Sequence, residues 1–143
     1  MKNINNEKII SLIGYLKTEE KPYTLLHFVP NVLSPGCSIE IKDLKEKYEN
    51  VNFINLVIVS CSPDLDIDTW SKDNNIKWDI YRDQTRDLTK LFECLDLEYN
   101  VPTRYTALID PSGGLVWEID YPLTKNRDIL LYNEKNNLVL KNV

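Results

Sequence analysis

Apolar and polar residues alternate along the chain in blocks whose periodicity changes between strand-like and helical. Residues 23–28 (YTLLHF) are apolar and rich in strand formers, and 51–60 (VNFINLVIVS) form a near-continuous apolar run, which is typical of a strand covered on both faces of a sheet. Residues 37–50 place apolar side chains at helical spacing. Those side chains are Cys37, Ile41, Leu44 and Tyr48. The pattern therefore predicts strand, helix, strand.

The remaining segments continue this alternation and include one hairpin. In order, they are a helix at 62–75, a strand at 78–83, a helix at 86–97, strands at 105–110 and 115–120, and a last helix from Asn126. The last two strands flank Pro-Ser-Gly-Gly, which is a turn sequence.

The order β-α-β-α-β-α-β-β-α predicts an α/β fold. We expect one domain over residues 1–143, with a central mixed β-sheet flanked by helices on both faces. Reactive sites in such sheets usually lie at the carboxyl ends of the strands, where a helix N-terminus faces the ligand. Cys37 follows the first predicted strand and therefore lies at such a place.

The composition excludes several classes of function. A net charge of -5 argues against a binder of nucleic acid or anionic membranes, since both need a basic face. No stretch approaches the roughly 18 apolar residues of a membrane span. The apolar start of the chain is interrupted by Ser11 and Gly14 and has no small-residue cleavage site. We therefore expect a cytoplasmic protein with no nucleic-acid or membrane partner.

The cysteine and histidine content argues against disulfides and metals. Three cysteines are an odd number, and cytoplasmic thiols stay reduced. With His27 as the single histidine and no Cys-x-x-Cys, we expect neither a metal ion nor another cofactor. His27 lies in a predicted strand and is interpreted as a core or half-buried residue. Asp64, Asp66 and Asp68 lack the glycine and final glutamate of a calcium loop, so we interpret them as helix caps.

One cysteine stands at the start of a predicted helix, in the segment PNVLSPGCSIE (30–40). A helix N-terminus offers free N–H groups and a partial positive charge, and both lower a thiol pKa. Cys37 shares a helix face with Ile41 and Leu44, so we expect its sulfur to point into the fold. A lone cysteine is more often a small core residue, but its neighbours make this segment more specific.

The spacing of Pro, Ser, Cys and Glu in this segment closely resembles the active-site signature of the peroxiredoxins, Pro-x-x-x-Thr/Ser-x-x-Cys-x-x-Glu. The Ser-Pro-Gly-Cys core looks most like the bacterioferritin co-migratory branch. VSCSPDLDIDTW (59–70) and RYTALIDPSGGLVW (104–117) are similar to two further family segments, in the same order. The resemblance implies a thioredoxin-like fold and membership of the alkyl hydroperoxide reductase/thiol-specific antioxidant superfamily.

The resemblance implies five site residues. Cys37 is the peroxidatic nucleophile, whose thiolate attacks a peroxide oxygen and becomes a sulfenic acid. Arg104 lowers the pKa of Cys37 and polarises the peroxide. Ser34 hydrogen-bonds the peroxide or the thiolate, Pro30 shields the thiolate and the arginine from water, and Glu40 orients Arg104. The implied partners are hydrogen peroxide or a small organic hydroperoxide, and an external thioredoxin- or glutaredoxin-like thiol.

Departures from the family pattern bear on the mechanism. The N-terminus is shortened to the segment 5–17, and Ser34 replaces the commoner threonine. Lys42 occupies the position where this branch often has a resolving cysteine. Cys61, at a strand end, and Cys94, in a predicted helix, are the possible resolving residues. We interpret both as packing residues, and we expect a one-cysteine mechanism with an external thiol reductant.

Two other functions stay open on the same fold. Oxidation of Cys37 could alter a binding surface, which would make the chain a redox sensor or interaction module. The chain could also be a divergent thioredoxin-like oxidoreductase, because Ser-Pro-Gly-Cys stands where such proteins have Cys-x-x-Cys and VPTR (101–104) resembles their Pro-Thr segment. The missing first cysteine removes the dithiol step of that reaction. A monomer and a homodimer are both compatible with the sequence.

Overall fold

The computed structural model describes residues 2, 4–13, 21–120, 130–132 and 138–140. Helices and strands alternate over most of these ranges. The elements are α1 (Asn6–Ile13), β1 (Tyr23–Val29), α2 (Pro35–Tyr48), β2 (Ile54–Ser60), α3 (Asp64–Asp73), β3 (Asp79–Arg82), α4 (Asp87–Leu91), β4 (Leu95–Asp96), β5 (Val101–Pro102), β6 (Tyr105–Ile109), β7 (Leu115–Asp120), β8 (Leu130–Tyr132) and β9 (Leu138–Leu140).

Five strands form the central sheet in the order β3-β2-β1-β6-β7. Strands β1, β2 and β3 are parallel, whereas β6 is antiparallel to β1, and β7 is antiparallel to β6. Every residue of β2 is buried, which explains why its sequence is a continuous apolar run. The predicted mixed sheet, its terminal hairpin and the α/β class are therefore confirmed.

Buried side chains cover both faces of this sheet. One face packs against α1 and α4 through Ile9, Leu26, Phe28, Val57, Val59, Leu88, Phe92, Cys94, Tyr105, Ala107 and Ile109. The other face packs against α2 and α3 through two clusters that include Leu25, Val29, Cys37, Ile41, Leu44, Tyr48, Ile58, Ile67 and Trp70. Because successive residues of a strand point to opposite faces, the two sets alternate along β1.

The register of the parallel strands places the start of α2 at one edge of the sheet. Val29 at the end of β1 lies opposite Ser60 at the end of β2. A short loop follows β1, and α2 begins at Pro35. The N-terminus of α2 therefore lies at the carboxyl ends of the central strands, as the order of elements predicts.

The helix predicted over residues 86–97 is wrong beyond Leu91. Glu93 has a left-handed backbone, with a φ of 52°, and the amide of Cys94 donates to the carbonyl of Thr89 at 3.2 Å. This pattern is a Schellman motif, which ends a helix. Cys94 therefore lies beyond the helix, just before β4.

The sequence interpretation also lacks helix α1. Asn5 Oδ1 accepts a hydrogen bond from the amide of Lys8 at 3.1 Å, so Asn5 acts as the N-cap. Ile9 is fully buried in the core, and Leu12 packs against the same cluster. The capping residue and the three-residue apolar spacing are the signals from which this helix could be predicted.

The helix predicted from Asn126 is wrong where the structure describes the tail. Residues 130–132 and 138–140 form β8 and β9, which pair antiparallel with Leu131 opposite Val139. The rest of that predicted helix lies outside the described residues.

The three alternating aspartates of α3 do not cap the helix, so that interpretation is wrong. Pro63 precedes the helix, and no side chain caps it. Arg82 donates instead to Asp64 at 2.9 Å and to Asp68 at 2.5 Å. Asp64 and Asp68 therefore connect the exposed face of α3 to β3.

In the part of the chain that the structure describes, no helix is long and apolar enough to cross a membrane.

Candidate active site

Cys37 lies in the first turn of α2 and is completely buried. It belongs to the apolar cluster that also contains Val29, Ile41 and Trp70. Ser34, the N-cap residue of α2, makes no side-chain capping bond to the helix. The predicted inward orientation of Cys37 is therefore observed, and the Ser34 hydroxyl is directed to another contact.

Arg104 connects three predicted site residues. Its Nη1 donates to Glu40 Oε1 at 2.5 Å and lies 3.7 Å from Cys37 Sγ. Its Nη2 donates to Ser34 Oγ at 3.2 Å. The planar guanidinium makes these contacts from fixed directions, which the flexible ammonium of a lysine does not reproduce. The structure thus brings together four residues that the sequence separates by up to 70 positions.

Glu40 is a buried carboxylate whose two oxygens face different partners. Its side chain has 0% exposure and pairs with Arg104 through Oε1. Its Oε2 lies 4.0 Å from Nε2 of His27. Burial of a charge without a partner is costly, so the ion pair with Arg104 accounts for the presence of a carboxylate in the core.

Burial raises the pKa of the Cys37 thiol above its ordinary value. The backbone amide of Asn31, which hydrogen-bonds the sulfur, and the charge of Arg104 lower this pKa, and the charge of Glu40 raises it. Arg104 therefore acts in the predicted direction. The predicted net lowering of the Cys37 pKa is nevertheless wrong for this conformation, because the loss of hydration outweighs the favourable contacts.

A cavity of about 890 Å³ opens on the other side of Arg104. Pro30, Cys61 and Pro102 line it together with the arginine. Further walls come from Leu33 and Tyr99, which are 65% and 69% exposed. Since Arg104 contacts both this cavity and Cys37, it connects the sulfur to the space in which a substrate can bind.

The described residues contain no group of three or more His, Cys, Asp and Glu side chains placed to hold a metal ion.

Residues 2–118 match the model of the AhpC/TSA family. The chain belongs to this family. It is similar to peroxiredoxin Bcp of Bacillus subtilis, with 28% identity over 104 residues, which cover 67% of this chain and 66% of that protein. It is also similar to alkyl hydroperoxide reductase C of Bacillus subtilis, with 27% identity over 64% of this chain and 52% of the relative. The Bcp match bears out the resemblance to the bacterioferritin co-migratory branch of the peroxiredoxins.

Solved structures share the fold of this AhpC/TSA family member. Enterococcus faecalis AhpC superposes with a TM-score of 0.67 at 19% identity, covering 75% of this chain and 68% of that one. Peroxidoxin BcpB from Mycobacterium tuberculosis superposes with a TM-score of 0.62 at 20% identity, covering 71% and 69%. The predicted thioredoxin-like fold is confirmed. The chain spans between about half and two thirds of the length of these two curated relatives.

The two spare cysteines of this AhpC/TSA chain both contact Thr89. Cys61 Sγ lies 3.7 Å from Thr89 Oγ1, and Cys94 Sγ lies 3.6 Å from the Thr89 carbonyl oxygen. Thr89 belongs to α4, which covers the face opposite to α2. Burial also raises the pKa of Cys61, and the charge of Asp83 adds to this effect. Both cysteines are free and buried, which agrees with their interpretation as packing residues.

The sequence analysis missed two contacts of this active site. The Asn31 amide reaches the Cys37 sulfur, and no side-chain pattern reveals a backbone donor. His27 is buried, as interpreted, but its position opposite Glu40 follows only from the packing of β1 against α2. The alternation of Leu25, His27 and Val29 on one face of β1 is the one sequence signal that bears on it.

Proposed function

We propose that this chain is a thiol-dependent peroxidase that reduces hydrogen peroxide or organic hydroperoxides through Cys37. The observation that carries the proposal is the contact of one arginine, Arg104, with Cys37, Glu40 and Ser34 beside an open cavity. A fixed positive charge at this place stabilises the negative charge that moves from sulfur to the leaving oxygen. Membership of the AhpC/TSA family supports the same activity.

The proposed reaction consumes one peroxide at Cys37. The thiol gives up its proton, and the thiolate attacks the terminal peroxide oxygen. The S–O bond forms while the O–O bond breaks, so the sulfur is oxidised to a sulfenic acid and the peroxide is reduced. The departing alkoxide or hydroxide takes up a proton and leaves as an alcohol or water. Arg104 polarises the peroxide, and Ser34, held by the same guanidinium, can hydrogen-bond it.

An external thiol completes the proposed cycle. It attacks the sulfenic acid and releases water, and a second thiol resolves the mixed disulfide and returns Cys37 to its reduced form. Cys61 and Cys94 are both buried against Thr89 of α4, which favours a thioredoxin- or glutaredoxin-like donor over an internal disulfide. The proposal treats the chain as a cytoplasmic thioredoxin-like domain that acts as a monomer or homodimer, without a cofactor.

Stopped-flow mixing of the reduced protein with hydrogen peroxide tests the proposal. Trp70 packs in the same cluster as Cys37, so its fluorescence is expected to report the oxidation. Mass spectrometry after one equivalent of peroxide should locate a single oxygen on Cys37. A Cys37→Ser variant should lose the fluorescence change, whereas Cys94→Ser should keep it.

Three outcomes would contradict the proposed peroxidase. A rate constant no higher than that of a free thiol would remove the activity itself. One oxidation followed by a stall in excess thioredoxin, glutaredoxin and small thiols would indicate a redox sensor. Reduction of insulin disulfides would indicate a thioredoxin-like oxidoreductase. A disulfide between Cys37 and Cys61 or Cys94 would overturn the one-cysteine mechanism alone.

A further inference from the structure

The single histidine of the chain, His27, lies inside the core and faces Glu40 of the active site. His27 belongs to β1 and is 2% exposed. Its Nδ1 is 2.9 Å from Thr106 Oγ1 on β6, and its Nε2 is 4.0 Å from Glu40 Oε2 on α2. The imidazole of this β1 residue therefore contacts the neighbouring strand β6 and faces α2, the helix that carries Cys37.

These contacts favour one proton arrangement on the ring. A neutral imidazole has one donor and one acceptor nitrogen. If Thr106 donates to Nδ1, the ring proton lies on Nε2 and points towards the carboxylate of Glu40. The opposite tautomer would turn a lone pair towards the negative oxygen, which is electrostatically unfavourable. At 4.0 Å the contact with Glu40 is electrostatic and longer than a hydrogen bond.

A continuous chain of contacts thus leads from β6 to the reactive sulfur. Thr106 orients His27, His27 faces one oxygen of Glu40, and the other oxygen holds Arg104. Arg104 in turn lies 3.7 Å from Cys37 Sγ. The carboxylate is fully enclosed, so the group opposite its second oxygen influences where the carboxylate rests.

We propose that His27 is a positioning residue that fixes the Glu40 carboxylate, and through it the Arg104 guanidinium, against Cys37. The inference rests on the proposed peroxidase function and adds a member that the sequence motif does not contain. A displacement of about 1 Å in a reacting group can cost two orders of magnitude in rate, so a residue two contacts away from the sulfur can control its reactivity.

Three substitutions of His27 separate positioning from packing. In His27→Gln the amide can reach towards Glu40, because its nitrogen lies near the place of Nε2. In His27→Asn the shorter amide can keep the contact with Thr106 but falls short of Glu40. His27→Leu keeps neither contact. We expect the Asn and Leu variants to react with hydrogen peroxide at least about tenfold more slowly, and the Gln variant to regain most of the rate.

A peroxide-independent readout keeps this test distinct from the test of the proposed function. Alkylation of Cys37 by iodoacetamide should fall in the same order, since a displaced Arg104 stabilises the thiolate less. If the unsubstituted protein reacts slowly with peroxide, the proposed peroxidase fails while the alkylation series still tests His27. If the unsubstituted protein is fast and all three variants match it in both reactions, the positioning role is overturned.

Two controls exclude general destabilisation. Phe92→Leu alters the core on the opposite face of the sheet and should lower the free energy of unfolding without slowing either reaction. In a Glu40→Gln background, His27→Leu should have little further effect, because the two residues act through one pathway. Additive losses in this double-mutant cycle, or a Gln variant as slow as the Leu variant, would show that His27 serves packing alone.

Discussion

At the scale of single residues, Arg104 contacts three residues of the active site with one charged group. Its two terminal nitrogens serve Cys37, Glu40 and Ser34 at once. Burial by itself lowers the pKa of Arg104. The hydrogen bond with Glu40 and the charges of Cys37 and Glu40 raise it above its usual value. The guanidinium is therefore charged at every pH relevant to the reaction.

Arg104→Lys tests whether the geometry of this charge matters. A lysine keeps the charge but loses the fork that contacts several partners. We expect the rate constant of Cys37 with peroxide to fall about 100-fold or more, as measured by stopped-flow fluorescence. Arg82→Lys removes a comparable fork from the exposed pair of Asp64 and Asp68 and should leave the rate unchanged. Equal rates in all three proteins would contradict the role of Arg104.

The raised pKa of Cys37 predicts how its reactivity depends on pH. Burial favours the neutral thiol and raises the pKa of Cys37 above the ordinary value of 9.0. The thiolate fraction should therefore grow as the pH rises beyond 9.0. Alkylation by iodoacetamide should therefore accelerate with a midpoint above that of a free thiol. Because Arg104 lowers this pKa, Arg104→Gln should move the midpoint to still higher pH. A midpoint near neutrality would show that the reactive conformation differs from the one described.

At the scale of elements, Asp83 joins the end of β3 to the start of α4. Its carboxylate is buried and accepts hydrogen bonds from the amides of Leu88 at 3.1 Å and Thr89 at 2.7 Å, and from the Thr89 hydroxyl at 2.6 Å. The side chain thus satisfies amides that the helix itself leaves without partners.

Asp83→Ala should destabilise the protein without affecting the reaction. Loss of this acceptor leaves buried donors unsatisfied, which costs about 2–4 kcal/mol in the free energy of unfolding. Urea denaturation measures this loss, and Asp73→Ala on the exposed end of α3 is the control that should change little. The peroxide rate should persist, because α4 lies across the sheet from Cys37. A slow but stable Asp83→Ala variant would refute this separation.

Helix α1 docks on the hairpin between β6 and β7 through a glycine. Gly113 has a φ of 82°, and a Cβ there would lie 2.6 Å from Ile10 Cγ1 and 2.8 Å from the carbonyl oxygen of Asn6. Both the left-handed backbone and the close approach favour glycine.

Gly113→Ala should therefore weaken the docking of α1. We expect a loss of about 1–3 kcal/mol in unfolding free energy, with faster hydrogen exchange in α1. Gly114→Ala is the matched control, since the three atoms nearest to its Cβ would belong to the side chain of Asp110, at 3.0 Å and beyond. Its loss should be smaller, and the reverse order of the two variants would contradict the contact.

At the scale of the whole molecule, buried acidic groups make the fold sensitive to alkali. Burial raises the pKa values of Cys37, Cys61 and Tyr81, from ordinary values of 9.0, 9.0 and 10.0. Above these values the unfolded chain loses protons that the folded protein still holds. The unfolded state then binds fewer protons, so the free energy of unfolding falls as the pH rises.

This linkage predicts a lower urea midpoint at about pH 10 than at about pH 7.5. The difference should shrink in Cys61→Ala, which removes one of the groups that must ionise. In acid, the titration of Asp110 also changes the free energy of unfolding. Burial opposes its ionisation, but hydrogen bonds from Ser112 and Gly114 hold its pKa below 3.8. Its contribution is present above that value and is lost as the pH falls through the folded pKa. A midpoint that does not fall in alkali would contradict the burial of the thiols.

The central elements could be predicted because their local patterns agree with the final packing. The apolar run of 51–60 is buried throughout β2, and the Pro-Ser-Gly-Gly turn joins two strands that do pair. The helix at 86–97 could not be bounded, because Glu93 adopts the left-handed conformation that usually requires glycine. The residue types around Glu93 therefore do not predict the end of the helix.

Sequence alone determined the order of the core elements and the position of Cys37 in the first turn of α2, because both depend on residues close together in the chain. Tertiary structure decided what surrounds the sulfur. It brings Arg104 to Cys37 across 67 positions, places His27 opposite Glu40, and packs Cys61 against Thr89. The direction of the Cys37 pKa shift belongs to this second group, since burial by the whole fold outweighs the contacts with Asn31 and Arg104 that lower the pKa.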